Sequence, residues 1–156
     1  MSIWTFLAAG YYLAISVPLV RWDFKEHRLP NKYTISALIF CATLVVLDAF
    51  SYQRLQPLMS GVAAAGITWG AGYLMAKFDL IGMGDIKLLT GQHLWLAYLN
   101  PWLILLSLTL GFVTASAFSA LQLFRGNLNL KSNMALGPFL LVGFLLAALV
   151  VFTAEV

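Results

Sequence analysis

The sequence predicts an all-α, polytopic membrane helix bundle of about six transmembrane helices, with both termini on the outer side of the membrane. Three observations lead there. Hydrophobic residues make up 62% of the 156 positions and charged residues only 10%, against a roughly half-apolar average for soluble domains. The mean hydropathy is +0.89. The apolar residues also fall into six runs, each near the roughly 20 residues that cross a bilayer core.

The runs are Ile3 to Val20, Tyr33 to Phe50, Leu58 to Met75, Leu80 to Leu99, Trp102 to Phe124 and Met134 to Phe152. The first has no basic stretch ahead of it and no small-x-small cleavage site before the charged loop, so it reads as a retained helix and not a signal peptide. In the second, Cys41 is a small, thiol-bearing packing residue. As the only cysteine it forms no intramolecular disulfide, and the chain has no CxxC zinc pattern; neither a metal nor a cofactor is expected. Pro30, Pro57 and Pro101 punctuate helix ends, and Pro138 lies just inside the start of the last helix. No internal repeat or low-complexity segment is present, so residues 1–156 are expected to form one membrane domain.

Basic residues concentrate in cytoplasmic loops. With the N-terminus outside, the inner side receives Arg21, Lys25, Arg28, Lys32, Lys77, Lys87, Arg125 and Lys131, and the outer side only Arg54. A soluble, nucleic-acid-binding basic protein would need those charges on a solvated face, and too little polar sequence exists to build one. Membrane lipid is the expected surround, and nucleic acid is not an expected partner.

Two carboxylates carry the chemistry. Asp23 lies at the end of the first run, in "RWDFKEHRLPNKYT", where Arg28, Leu29, Pro30 and Asn31 make a turn. Alone it reads as a loop-edge carboxylate. Asp85 lies in "LIGMGDIKLL", and the fourth run spans about 30 Å only if Asp85 and Lys87 are included. Ionisable groups at that depth are costly and face a partner or a water-filled cavity. Gly82 and Gly84 permit a close-approaching backbone just before Asp85. Capping of the following helix would account for Asp85 by itself, but not for a second aspartate on the same side. Two carboxylates at one depth on different helices can share a proton, one activating water while the other protonates a carbonyl oxygen.

"DFKEHRLPN" followed by "GMGDIKLL" resembles the paired signatures of the prepilin peptidases, GxGD-type intramembrane aspartic proteases of the bacterial inner membrane. "GVAAAGITWGAGYLMAKF" and "ALGPFLLVGFLLA" are similar to that family's helices too. The resemblance implies catalytic aspartates at Asp23 and Asp85, with Gly82, Gly84 and Lys87 completing the motif. It also implies removal of the cytoplasmic leader from type IV prepilin or pseudopilin precursors. Longer members carry a cytoplasmic domain with two CxxC pairs, associated with N-methylation of the product. Those cysteines are missing here, which implies a peptidase without the methyltransferase.

The remaining polar residues set limits on this reading. Asp48, near the outer end of the second run, Asp79, Glu26 and Glu155 are expected to be noncatalytic. Gln92, seven residues from Asp85 and on nearly the same face, is expected to hydrogen-bond neighbouring helices, and His93 to be a packed polar residue. Helix-end electrostatics favour Asp85 as the charged general base, at a helix start, and Asp23 as its protonated partner, at a helix end. A proton-coupled carrier and a noncatalytic assembly factor are the alternatives from other classes. A presenilin-like protease shares the GxGD chemistry but has more helices than this chain supplies.

Overall fold

In a computed structural model, which describes residues 2–26, 29–125 and 136–154, the chain forms six helices and no strand among the described residues. They are α1 (Ile3–Glu26), α2 (Asn31–Ser51), α3 (Leu55–Lys77), α4 (Met83–Leu99), α5 (Trp102–Phe124) and α6 (Gly137–Ala154). Four of them, α1, α2, α3 and α5, are long and apolar enough to cross a membrane, and α6 is a shorter apolar helix.

Local chemistry explains the boundaries. Ser2 opens α1, its hydroxyl accepting the amide of Thr5 at 3.3 Å, as an N-cap residue does. The helix then continues through Glu26, past the predicted end at Val20. It can do so because Arg21, Trp22, Phe24 and Lys25 are exposed, so the charged segment adds a turn without burying its basic groups. Pro30, in an extended conformation, precedes α2 and accepts the amides of Tyr33 and Thr34. The α3–α4 connection turns at Asp79, whose φ of 54° is left-handed. That turn consumes Leu80 and Ile81, so α4 begins at Met83 and not at Leu80. Asn100 Oδ1 accepts the amide of Trp102 at 3.1 Å and starts α5. Met134, where the last run was expected to begin, lies outside the described residues.

The bundle is organised around α4. It packs against α2, α3, α5 and α6, and every residue from Leu88 to Tyr98 is buried. Its 17 residues include Asp85, Lys87, Gln92 and His93, so the most polar helix is the most enclosed one. The outer helices present Ile39, Met59, Ile67, Phe112 and Leu149 outward. Polar groups inside and large apolar groups outside suit a lipid surround, in which an exposed polar side chain is the costly arrangement.

Lipid tails are as apolar as leucine, so close packing holds such helices together. Tyr12 of α1, Trp95 of α4 and Phe144 of α6 form the centre, with Phe144 ring centroids 4.7 Å from Tyr12 and 5.4 Å from Trp95. Cys41 is buried as expected, its thiol donating to the Gly91 carbonyl at 3.4 Å. At the α5–α6 crossing, a side chain at Gly143 would run into the Ser107 carbonyl, so glycine sets how closely those two helices approach.

Candidate active site

On α1 the buried residues Ala8, Tyr12, Ile15, Leu19 and Asp23 form one stripe. Steps of three or four residues keep a helical face pointed one way, so Asp23 extends the core face into the last turn. It is only 4% exposed. It is therefore a buried group and not a loop-edge carboxylate, because the helix continues beneath it. Lys25 points elsewhere, with Nζ 6.0 Å from the Trp22 ring centroid.

Asp85 is the third residue of α4, with Gly82 as the N-cap. From that position a carboxylate reaches back toward the cap residue, and here a Cβ on Gly82 would lie 3.1 Å from Asp85 Oδ2. Asp85 Oδ1 is buried without a hydrogen-bond partner. Leu29 lies against both the Gly84 position, next to Asp85, and the Gly137 position, beside Asp23 Oδ2, so the helix ends that carry the two aspartates adjoin one another.

Leu29 brings these pieces together. A Cβ on Gly84 would lie 2.7 Å from Leu29 Cβ and 3.1 Å from the Leu29 carbonyl oxygen. Glycine at 84 is thus required by the approach of the α1–α2 connection. Gly82 has an ordinary extended backbone, φ −73° and ψ 142°, and its close approach is to the Asp85 carboxylate, whereas that of Gly84 is to the Leu29 backbone. Lys87 Nζ donates to Asn31 Oδ1 at 2.6 Å, tying α4 to the start of α2 beside Pro30. Arg28 lies outside the described residues.

The sequence alone did not reveal Gly137. Its amide, the first of α6, donates to Asp23 Oδ2 at 3.0 Å. This contact bears on the unequal roles expected from helix ends, because it removes the asymmetry from which they were argued. Asp23 closes α1 but also faces the N-terminus of α6, so the free-amide and dipole effects invoked for Asp85 act on Asp23 as well. Only Pro138, marking a helix start, hinted at this contact, which joins residues 114 apart in sequence.

The other polar residues lie apart from the pair or carry no reactive contact. Asp48 is fully buried in α2 and accepts the hydroxyl of Tyr98 near the C-terminal end of α4, the opposite end from Asp85. Asp79 is exposed in its turn. His93 Nδ1 and Thr68 Oγ1 are 2.7 Å apart, the packed polar role expected of it. Gln92 differs from expectation. It is fully buried, yet neither amide atom has a hydrogen-bond partner.

The type IV leader peptidase family matches residues 10–155. The chain belongs to that family. It is 31% identical over 137 residues to the leader peptidase HopD of Escherichia coli, a match covering 83% of each chain. No solved structure matches at a comparable level of significance. The match runs from within α1 to beyond the end of α6 and so covers nearly the whole bundle. The family is one of peptidases, and the four helices long and apolar enough to cross a membrane fit a multi-pass membrane protein.

Proposed function

We propose that the protein is an intramembrane aspartic endopeptidase that removes the cytoplasmic leader from type IV prepilin or pseudopilin precursors, using Asp23 and Asp85. The observation that carries this reading is that a buried carboxylate from α1, Asp23, and a half-buried one from α4, Asp85, lie on either side of Leu29 within a chain of the leader peptidase family.

In the proposed reaction one carboxylate takes a proton from water as the water oxygen attacks the scissile carbonyl carbon. The other carboxyl donates its proton to the carbonyl oxygen. On collapse of the tetrahedral intermediate a hydroxyl proton returns to the carboxylate that had donated one, which restores the carbonyl and the acid, the C–N bond breaks, and the leaving nitrogen takes the proton first removed from water. Two like charges held this close favour a single shared proton, so the pair enters the cycle with one acid and one base. Both aspartates lie at helix starts, Asp23 at that of α6 and Asp85 at that of α4, and the pair shares its proton as one titrating unit.

The orientation supporting this chemistry is N-out and C-out in a bacterial inner membrane, which puts the Asp23 and Asp85 ends of α1 and α4 at the cytoplasmic side, where leaders lie. The charge bias of the loops supports it. Co-expression with each prepilin-like precursor from the same genome, scored by the mobility shift of leader removal, tests the reading. A shift that needs both aspartates supports it, and the absence of a shift with every precursor counts against it.

A further inference from the structure

Asp23 is carried on the last turn of α1, but its hydrogen-bond contact from Gly137 comes from α6. The first turn of α6 is otherwise closed by the Leu136 carbonyl, which accepts the amides of Phe139 at 3.1 Å and Leu140 at 3.2 Å. Pro138 has no amide and a fixed φ, so it stiffens this start without competing for an acceptor. The Gly137 amide is left to point at Asp23. No side chain fits there: a Cβ on Gly137 would lie 2.7 Å from Asp23 Oδ2 and 3.1 and 3.2 Å from the two Leu29 methyl carbons.

We propose that Gly137 is a positioning residue for the peptidase reaction: its backbone amide fixes an Asp23 oxygen, and its lack of a side chain lets the start of α6 reach that oxygen. The inference rests on the reading of Asp23 as catalytic. Leu29 touches both Gly84 and the Gly137 position, so α6 is registered against the α4 end of the site through the same side chain. The start of α6 thereby becomes a third wall of the site, beside the ends of α1 and α4.

Gly137→Ala, Leu29→Ala, the double variant and Gly10→Ala test this, as purified protein acting on a purified prepilin that the parent enzyme cleaves. Gly10 is a control because a Cβ there meets nothing within 4 Å. Gly137→Ala is expected to lower kcat about a hundredfold, the effect of a misplacement of about 1 Å, with KM within about threefold of the parent value. It should also move the Asp23 carboxylate band in infrared difference spectra taken against Asp23→Asn. Removing Leu29 relieves only part of the crowding, so the double variant should cleave no better than Gly137→Ala. It also carries the test if the single variant fails to fold. Recovery of the double variant to the rate of Leu29→Ala alone would mean that Gly137 serves packing only and would overturn the proposal. So would an unmoved Asp23 band in folded Gly137→Ala. Full cleavage by Asp23→Ala refutes the catalytic reading itself, an outcome distinct from either of these.

Discussion

Replacing Gly84 with alanine adds one methyl group where the α1–α2 connection crosses α4. The new Cβ would meet Leu29 Cβ at 2.7 Å, its carbonyl oxygen at 3.1 Å and its Cα at 3.4 Å. Carbon atoms sit comfortably at about 3.5–4.0 Å, so Leu29 and Gly84 must separate by about 1 Å. Two of the three contacts are backbone, and no rotamer change relieves them. Gly84 immediately precedes Asp85, and Leu29 also touches the Gly137 position beside Asp23, so the displacement falls between the two carboxylates. A misplacement of about 1 Å costs about a hundredfold in rate, and overpacking costs about 1–3 kcal/mol of stability. Leader cleavage by Gly84→Ala should therefore fall about a hundredfold in kcat, measured by timed gel-shift assay on purified protein whose folded state is checked by gel filtration. A folded Gly84→Ala enzyme with the parent kcat would refute the reasoning that Leu29 couples the two aspartates.

Three further predictions concern the surroundings of the site. Lys87→Met removes an exposed hydrogen bond to Asn31, worth about 1 kcal/mol at most, so cleavage should drop by less than about tenfold in the same assay. Tyr98→Phe leaves buried Asp48 without its hydroxyl donor and should cost about 1–3 kcal/mol, read as a lower melting temperature in detergent, while Asp48→Ala should still cleave the leader. In a Cys41→Ser background, single cysteines at positions 54 and 79 should label from opposite sides with an impermeant thiol reagent, position 54 from the periplasm. Labelling of position 79 from the periplasm in intact cells would reverse the orientation.

The helices were legible because an apolar run of membrane length has few alternatives, and the fifth run matches α5 residue for residue. The boundaries that moved did so for local reasons. Exposed Arg21 and Lys25 let α1 run on to Glu26, and the left-handed Asp79 drew Leu80 into a turn although its side chain is apolar. Asp85 stood out as an ionisable group within a run of membrane length, and Asp23 gained weight only as a second carboxylate on the same side. One further sign was present but weaker: Tyr12, Leu19 and Asp23 share a helical face, so Asp23 could be placed toward the core. For the Gly137 contact the sequence offered only Pro138 marking a helix start, because it is a backbone donor meeting a side chain across 114 residues, and hydropathy says nothing about where an amide points. Gln92 shows the same gap from the other side. Its helical face was deducible, but the absence of a partner depends on which neighbouring side chains surround it.

The central claim is that Asp23 and Asp85 together perform leader cleavage. The most direct measurement compares parent, Asp23→Ala and Asp85→Ala proteins, each purified in folded form, for cleavage of one prepilin under the same conditions. Neither single variant retains a partner for the proton exchange, so both should show no detectable cleavage while remaining inserted and folded. Cleavage at the parent rate by either variant would contradict the two-aspartate mechanism.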